Sequence, residues 1–184
     1  TNVTDFSPFV LQDGTLKWRF DTGLTNLAAP SVLPGGNVAF VGNNSGSTRA
    51  FTTNTGSSSW NFSATGAVQS RAPIVPVGNA NYVLVTSQDG FIYALNASDG
   101  TTSWSRDLRR LGEGSDKLNG SAGVQSNVTL GSIGGSCANS TLTLVFVGTY
   151  RTSTTSANAI HALSIANGDI CWTFTGGDAN PNMD

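Results

Sequence analysis

The chain has 184 residues, a formal net charge of −2 at pH 7 and a pI of about 5.1. An acidic chain lacks the basic face that nucleic acid requires, and no apolar run reaches the length of a membrane span, so neither kind of interaction is predicted. Only 11% of the residues are charged, against about 25% in ordinary soluble domains. The sequence starts at Thr1 without an initiating Met or a signal peptide, so we expect a processed or excerpted chain.

An eleven-residue motif recurs along the chain and defines its organisation. Each complete copy has Ala at its first position, Gly at its seventh and Trp at its eleventh. A copy near the N-terminus keeps only the second half of the motif, with Gly14 and Trp18. The complete copies place the three residues at Ala50, Gly56 and Trp60, at Ala94, Gly100 and Trp104, and at Ala162, Gly168 and Trp172.

Each motif predicts two strands joined by a tight turn. In the second complete copy, β-branched and aromatic residues at 91–95 precede turn residues at 98–100, and an extended pattern resumes after Gly100. Two more strand-like runs lie upstream of each hairpin, so that one unit predicts four short antiparallel strands, which is one blade of a β-propeller. In chain order we predict a half-blade at 6–20 and three complete blades at about 29–61, 72–105 and 121–175, all in one all-β domain over 1–184.

The third blade carries an insertion. Successive tryptophans are separated by 42, 44 and 68 residues, and the first two distances match a four-stranded blade. The extra residues of the third step are predicted to lie in a charged link over 106–117 and in a Gly/Ser-rich stretch over 131–140. The charged link is interpreted as a solvated linker; a partner-docking loop or a site for an anionic sugar would also fit its charges.

These units resemble the repeats of pyrroloquinoline-quinone-type β-propellers, whose tryptophan-docking motif has the same Ala, Gly and Trp positions. The resemblance covers about residues 14–176 and implies that the Trp of each outermost strand packs against the neighbouring blade. The chain departs from the family's usual Asp at motif position three, where it has Thr52, Asn96 and Ser164. Because the family implies seven or eight blades, we expect an open arc that is completed by further blades of a longer chain or by other copies of itself.

Seven Asn-x-Ser/Thr sequons predict N-linked glycans and an extracellular or cell-surface location. A surface with so few charges is easier to understand if sugars solvate it. The sequons are at Asn2, Asn43, Asn61, Asn96, Asn119, Asn127 and Asn139.

The two cysteines, Cys137 and Cys171, fit an oxidising compartment and predict one disulfide. Such a bridge would tie the insertion to its own sheet and contribute about 3–4 kcal/mol on the chain-entropy model. The other interpretation is two free buried thiols. Two cysteines and a single histidine do not form a zinc site, so no metal is predicted.

The first function hypothesis is a non-catalytic extracellular glycoprotein with a structural, adhesive or assembly role and no cofactor. A fragment of a quinoprotein dehydrogenase fits less well, because those enzymes need acidic calcium ligands and Glu113 is the only Glu here. Two further hypotheses are a scaffold like the propeller lipoprotein of the bacterial outer-membrane barrel-assembly machinery, and a carbohydrate-binding propeller using Tyr150 or Phe6. His161 occupies the strand position of Arg49 and Tyr93 in the other units, which favours a structural role.

Overall fold

The computed structural model of the protein describes residues 16–21, 28–109, 124, 126–132, 143–149 and 159–175. Within these residues, twelve strands form three four-stranded antiparallel sheets. Blade one contains β1 (Ser31–Val32), β2 (Val38–Gly42), β3 (Ser47–Thr52) and β4 (Ser58–Ser63). Blade two contains β5 (Ile74–Val77), β6 (Ala80–Thr86), β7 (Phe91–Asn96) and β8 (Thr102–Asp107). Blade three contains β9 (Thr129–Ser132), β10 (Thr143–Thr149), β11 (Ala159–Ser164) and β12 (Ile170–Thr175).

The strands of every blade pair in sequence order, each with the next along the chain. This up-and-down order confirms the predicted all-β propeller of four-stranded antiparallel blades. Residues 16–21, from the predicted half-blade, carry no strand assignment. Among the described residues no helix is long and apolar enough to cross a bilayer.

Each recurring motif builds the same local structure in all three blades. The ladder between the third and fourth strands shifts register directly after the motif Ala, between Ala50 and Phe51 in blade one and at the matching places in the other two. The motif glycines Gly56, Gly100 and Gly168 then turn the chain with φ values of 71°, 75° and 72°. Glycine adopts this left-handed conformation without the steric cost that a side chain would add.

The two stretches predicted to hold the insertion of blade three, 106–117 and 131–140, both begin inside strands. Arg106 and Asp107 close strand β8 rather than opening a linker. Gly131 and Ser132 belong to strand β9, so the Gly/Ser-rich stretch begins inside the sheet. A side chain at Gly131 would meet the ring of Phe146 at 2.8 Å, which explains why a glycine lies in this strand.

Among the described residues, the hydrophobic core consists of two layers, one between each pair of neighbouring blades. Blades one and two enclose Phe40, Val68, Val83, Val85 and Leu95, all of which are 1% exposed or less. Blades two and three enclose a second cluster of buried residues that includes Leu84, Ile92, Trp104, Val145 and Leu163. Each blade therefore needs a neighbour on both faces to bury its apolar residues, as in other stacked-repeat proteins.

Candidate functional site

Each of the first three tryptophans reaches across to the motif turn of the next blade. Its indole Nε1 donates a hydrogen bond to the carbonyl oxygen three residues before the motif glycine. The three bonds run from Trp18 to Thr53 at 2.6 Å, from Trp60 to Ala97 at 3.1 Å and from Trp104 to Ile165 at 2.9 Å. The repeat therefore forms a set of docks with the same tryptophan–carbonyl hydrogen bond, each joining one blade to the next.

Each dock also requires that its glycine has no side chain. A Cβ placed on Gly56 would lie 2.7 Å from the ring of Trp18, and one on Gly100 would lie 2.7 Å from the ring of Trp60. Such distances are shorter than a carbon–carbon van der Waals contact, so any residue other than glycine at this position would displace the indole ring. Glycine is needed here for its positive φ and for this close approach.

The residue two positions after each tryptophan determines whether the dock is aromatic or ionic. In the first two docks this residue is a phenylalanine. Phe20 packs on Phe51 with ring centroids 4.9 Å apart, and Phe62 packs on Tyr93 at 4.9 Å.

In the third dock the equivalent residue is Arg106. Its Nε donates to the Gly168 carbonyl at 2.7 Å, and its Nη2 pairs with Asp169. Two aromatic docks and one ionic dock thus share the same Trp–Gly geometry.

Blade three presents a fourth dock that no described residue covers. Trp172 is 43% exposed, whereas the equivalent Trp104 is 8% exposed. Ile160 is 47% exposed and its equivalent Ile92 is fully buried. Phe174 is 50% exposed.

We call Phe146, Ile160, Trp172 and Phe174 the open face. The Phe146 and Trp172 rings contact each other, with centroids 5.8 Å apart. A contiguous apolar surface of this kind, carrying a docking tryptophan, marks an interaction site.

The sequons differ in how accessible their asparagines are. Asn43 is only 4% exposed, and its Oδ1 accepts hydrogen bonds from the Ser45 and Ser47 amides at 3.0 Å each. This burial within its own turn argues against the predicted glycan at Asn43. Asn61 and Asn127 are exposed, whereas Asn96 is half-buried and accepts bonds from Ser98. The remaining sequons, at Asn2, Asn119 and Asn139, lie outside the described residues.

Cys171 lies in strand β12 beside the open face. Cys137 lies outside the described residues, as do the sugar-stacking candidates Tyr150 and Phe6 and the charged link beyond Arg109. His161 is fully buried, with Nδ1 3.0 Å from Thr173 Oγ1 and Nε2 3.3 Å from Thr149 Oγ1.

A polar network that the sequence did not reveal lies between blades one and two. The turn chemistry around Asp89 predicts that its carboxylate caps backbone amides, and its Oδ1 does accept from the Phe91 amide at 3.0 Å. Its Oδ2 also accepts from the Tyr93 hydroxyl at 2.9 Å and from Thr65 in the interblade link at 3.0 Å. Burial, and then the hydrogen bond to Asp89, raise the pKa of the Tyr93 hydroxyl well above its usual range. The network fixes the link that precedes blade two.

A cavity of about 370 Å³ lies beside the innermost strands, β1 and β5. Its described lining is mainly apolar, with Ser31, Arg71 and Asn127 as polar members and no carboxylate. Among the described residues, no group of three His, Cys, Asp or Glu side chains lies close enough together to hold a metal ion. This part of the cavity therefore does not supply the acidic oxygen ligands that calcium prefers.

A family model described as outer membrane protein assembly factor BamB matches residues 2–175. No curated protein sequence gives a significant match.

Solved structures with similar folds include BamB and two dehydrogenases. BamB from Moraxella catarrhalis is 20% identical with a TM-score of 0.55, and the match covers 85% of this chain and 38% of that one. A quinohemoprotein alcohol dehydrogenase from Comamonas testosteroni is 18% identical with a TM-score of 0.58, covering 83% and 21%. A europium-containing methanol dehydrogenase is 16% identical with a TM-score of 0.62, covering 88% and 27%. This chain thus spans 21–38% of these proteins, and at such identities the similarity establishes the fold alone.

Proposed function

The chain belongs to the repeat family described as outer membrane protein assembly factor BamB, and from that premise we propose that it is a non-catalytic propeller scaffold that acts by docking another blade on its open face. The membership confirms the resemblance to pyrroloquinoline-quinone-type propellers that the Ala, Gly and Trp positions indicate. The family description names an assembly factor, which is a role carried out through contacts with other proteins.

The open face carries the proposal. Trp172 has the same strand position in its blade as the docked tryptophans have in theirs. No described carbonyl or glycine turn lies against its indole. Burying a side chain of this size removes about 150–250 Å² from water, so an exposed one gains much from a partner. The chemistry of the missing partner follows from the other docks: a turn with glycine at positive φ and a carbonyl three residues upstream. A further propeller blade supplies both.

The location we propose is outside the cytoplasm, at the cell surface or in the extracellular space. The outer-membrane term in the family description and the sequons support it. Asn61 and Asn127 are the described asparagines with exposed side chains in sequons, so they are the proposed glycan carriers. Intact mass before and after glycosidase treatment of the protein from its native source tests this, and an unchanged mass would contradict it.

A dehydrogenase role is the second candidate, because oxidoreductases are among the structural neighbours. The cavity beside β1 and β5 does not fit it, since its described lining lacks carboxylates. We therefore propose that the chain has no catalytic function. Alcohol oxidation after addition of quinone and calcium would overturn this part of the proposal.

The experiment for the scaffold function measures association of the purified chain by sedimentation velocity over a range of concentrations. We expect species heavier than the 19.0 kDa monomer to form as the concentration rises. A Trp172→Ser/Phe174→Ser double variant should stay monomeric with an unchanged circular dichroism spectrum. Leu130→Ser is the matched control, because Leu130 is a 37% exposed apolar residue in β9 that lies outside the open face and outside residues 16–21. A wild-type chain that stays monomeric throughout would contradict the proposed function.

A further inference from the structure

We propose that the open face of blade three docks on blade one of a second copy of this chain, in the place that residues 16–21 occupy within one copy. This inference rests on the proposed function and names the partner of the same site. It predicts a displacement: the aromatic pair of the open face takes the place of the aromatic pair that residues 16–21 hold on blade one.

The aromatic pair of the open face matches the pair that blade one holds within one copy. Trp172 and Phe174 have the same spacing as Trp18 and Phe20, which sit on blade one. Blade one accepts that pair with the Thr53 carbonyl for the indole and with Phe51 for both rings, at 4.9 Å from Phe20 and 6.2 Å from Trp18. The open face therefore carries the side chains that this acceptor is shaped to hold.

The other two acceptors are less suitable. The acceptor on blade three is filled by Trp104, which belongs to the complete sheet of blade two, and its Asp169 pairs with an arginine rather than facing a phenylalanine. The acceptor on blade two is filled by Trp60, which belongs to the complete sheet of blade one. Of the three blades, only blade one is covered by a short segment, residues 16–21, that is not part of a described sheet.

Residues 16–21 cover blade one incompletely. Val32 in β1 is 51% exposed, whereas Ile74 at the equivalent position in β5 packs against the core between blades one and two. Arg49, on the same face, has a buried Nε without a hydrogen-bond partner among the described residues. Buried polar atoms are usually paired, so this face is only partly satisfied within one copy.

An incoming blade brings four strands where residues 16–21 bring one segment. The contacts of Trp18 and Phe20 are replaced by equal contacts of Trp172 and Phe174. The exposed Val32 and Ile160 are then also buried, and this added burial drives the exchange.

The proposed interface is heterologous, because the donor is the last described blade and the acceptor is the first. Each pair of copies keeps one free donor and one free acceptor. Head-to-tail contacts of this kind give a closed ring or an open filament, depending on the rotation between copies.

The test mixes two variants that are each disabled at one end. Trp172→Ser/Phe174→Ser removes the donor. Gly56→Val removes the acceptor, because a side chain there meets the indole ring at 2.7 Å. We expect each variant alone to be monomeric, and an equimolar mixture to form a dimer that grows no further. Gly78→Val is the matched control, since Gly78 has a φ of 60° but open space around its Cβ position, and it should associate like the wild type.

Arg49→Glu is a second acceptor variant in case Gly56→Val does not fold. The Arg49 guanidinium lies 5.6 Å from the centre of the Phe20 ring, so this change places a carboxylate where the open-face phenylalanine would pack. Trypsin cleavage after Lys17 or Arg19 gives an independent readout, because displaced residues 16–21 should be cut faster as the concentration rises. Self-association by both acceptor variants, or a mixture that stays monomeric, would overturn this inference while leaving the proposed function intact. Absence of association in the wild type would overturn both.

Discussion

The interface between blades two and three and the open face of blade three are built from equivalent positions, yet one is core and the other is surface. Trp104 and Ile92 are 8% and 0% exposed, while Trp172 and Ile160 are 43% and 47% exposed. The strands, the register shift and the glycine turn are the same on both sides of the comparison. The difference arises from the neighbouring blade alone. In a repeat protein, the burial of a residue therefore depends on the adjacent repeat as well as on its own repeat.

The largest effect should separate the two tryptophans directly. Trp104→Ala removes a ring buried between two blades and leaves a cavity, which should lower the free energy of unfolding by about 3–5 kcal/mol. Trp60→Ala should behave similarly. Trp172→Ala should cost less than Trp104→Ala at concentrations where the chain is monomeric, because 43% of Trp172 is already exposed and no second blade encloses it among the described residues. Urea melts check this, and equal losses at Trp104 and Trp172 would mean that the open face is covered.

The predicted disulfide would covalently support the strand that carries the open face. We expect Cys137 and Cys171 to be linked within one chain, which would anchor the strand that carries Trp172. Reduction should then lower stability by about 3–4 kcal/mol on the chain-entropy model. Peptide mapping without reductant should recover the linked pair, and thiol labelling of the denatured, unreduced protein would argue against it.

A smaller effect should distinguish an occupied dock from an open turn. Gly100 and Gly78 both have positive φ, at 75° and 60°, so alanine strains the backbone at either position. Of the two, Gly100 faces a ring, with Trp60 at 2.7 Å from the position that a Cβ would take. Gly100→Ala should therefore cost about 1–3 kcal/mol more than Gly78→Ala, the usual cost of overpacking. Equal decreases in melting temperature for the two variants would show that the Trp60 ring moves aside without loss of stability.

The recurring Ala, Gly and Trp positions, with the strand-like runs upstream of them, are sufficient to predict the blades, because each copy marks the same hairpin. They do not predict which docks are aromatic and which is ionic, since that depends on Phe20, Phe62 and Arg106 meeting residues of another blade. The sequon at Asn43 illustrates a similar limit. A sequon is a local pattern, whereas the burial of Asn43 follows from hydrogen bonds that close its turn.

The Gly/Ser-rich stretch of blade three shows another limit of local patterns. Glycine is uncommon in strands, so Gly131 indicates a loop by composition. In the folded chain the ring of Phe146 occupies the space that a side chain would need. Only the three-dimensional packing shows that glycine is required there.

The smallest effect concerns the ionic dock, where Arg106 takes the position that Phe174 has in the open face. The Arg106 and Asp169 side chains are 36% and 60% exposed, so water screens their attraction. A double-mutant cycle of Arg106→Gln and Asp169→Asn should give a coupling of about 0.2–1 kcal/mol at low salt. The coupling should fall towards zero at about 1 M salt, where the Debye length is about 3 Å.

The hydrogen bond from Arg106 Nε to the Gly168 carbonyl, at 2.7 Å, does not involve the Asp169 side chain. Asp169→Asn alone should therefore cost less than Arg106→Gln, which removes this bond as well as the ion pair. If Asp169→Asn costs nothing while Arg106→Gln loses stability to the same extent at low and high salt, Arg106 acts through packing and its bond to Gly168 rather than through charge. The ionic dock would then be equivalent to the aromatic ones, and the open face would dock on acceptors of either kind.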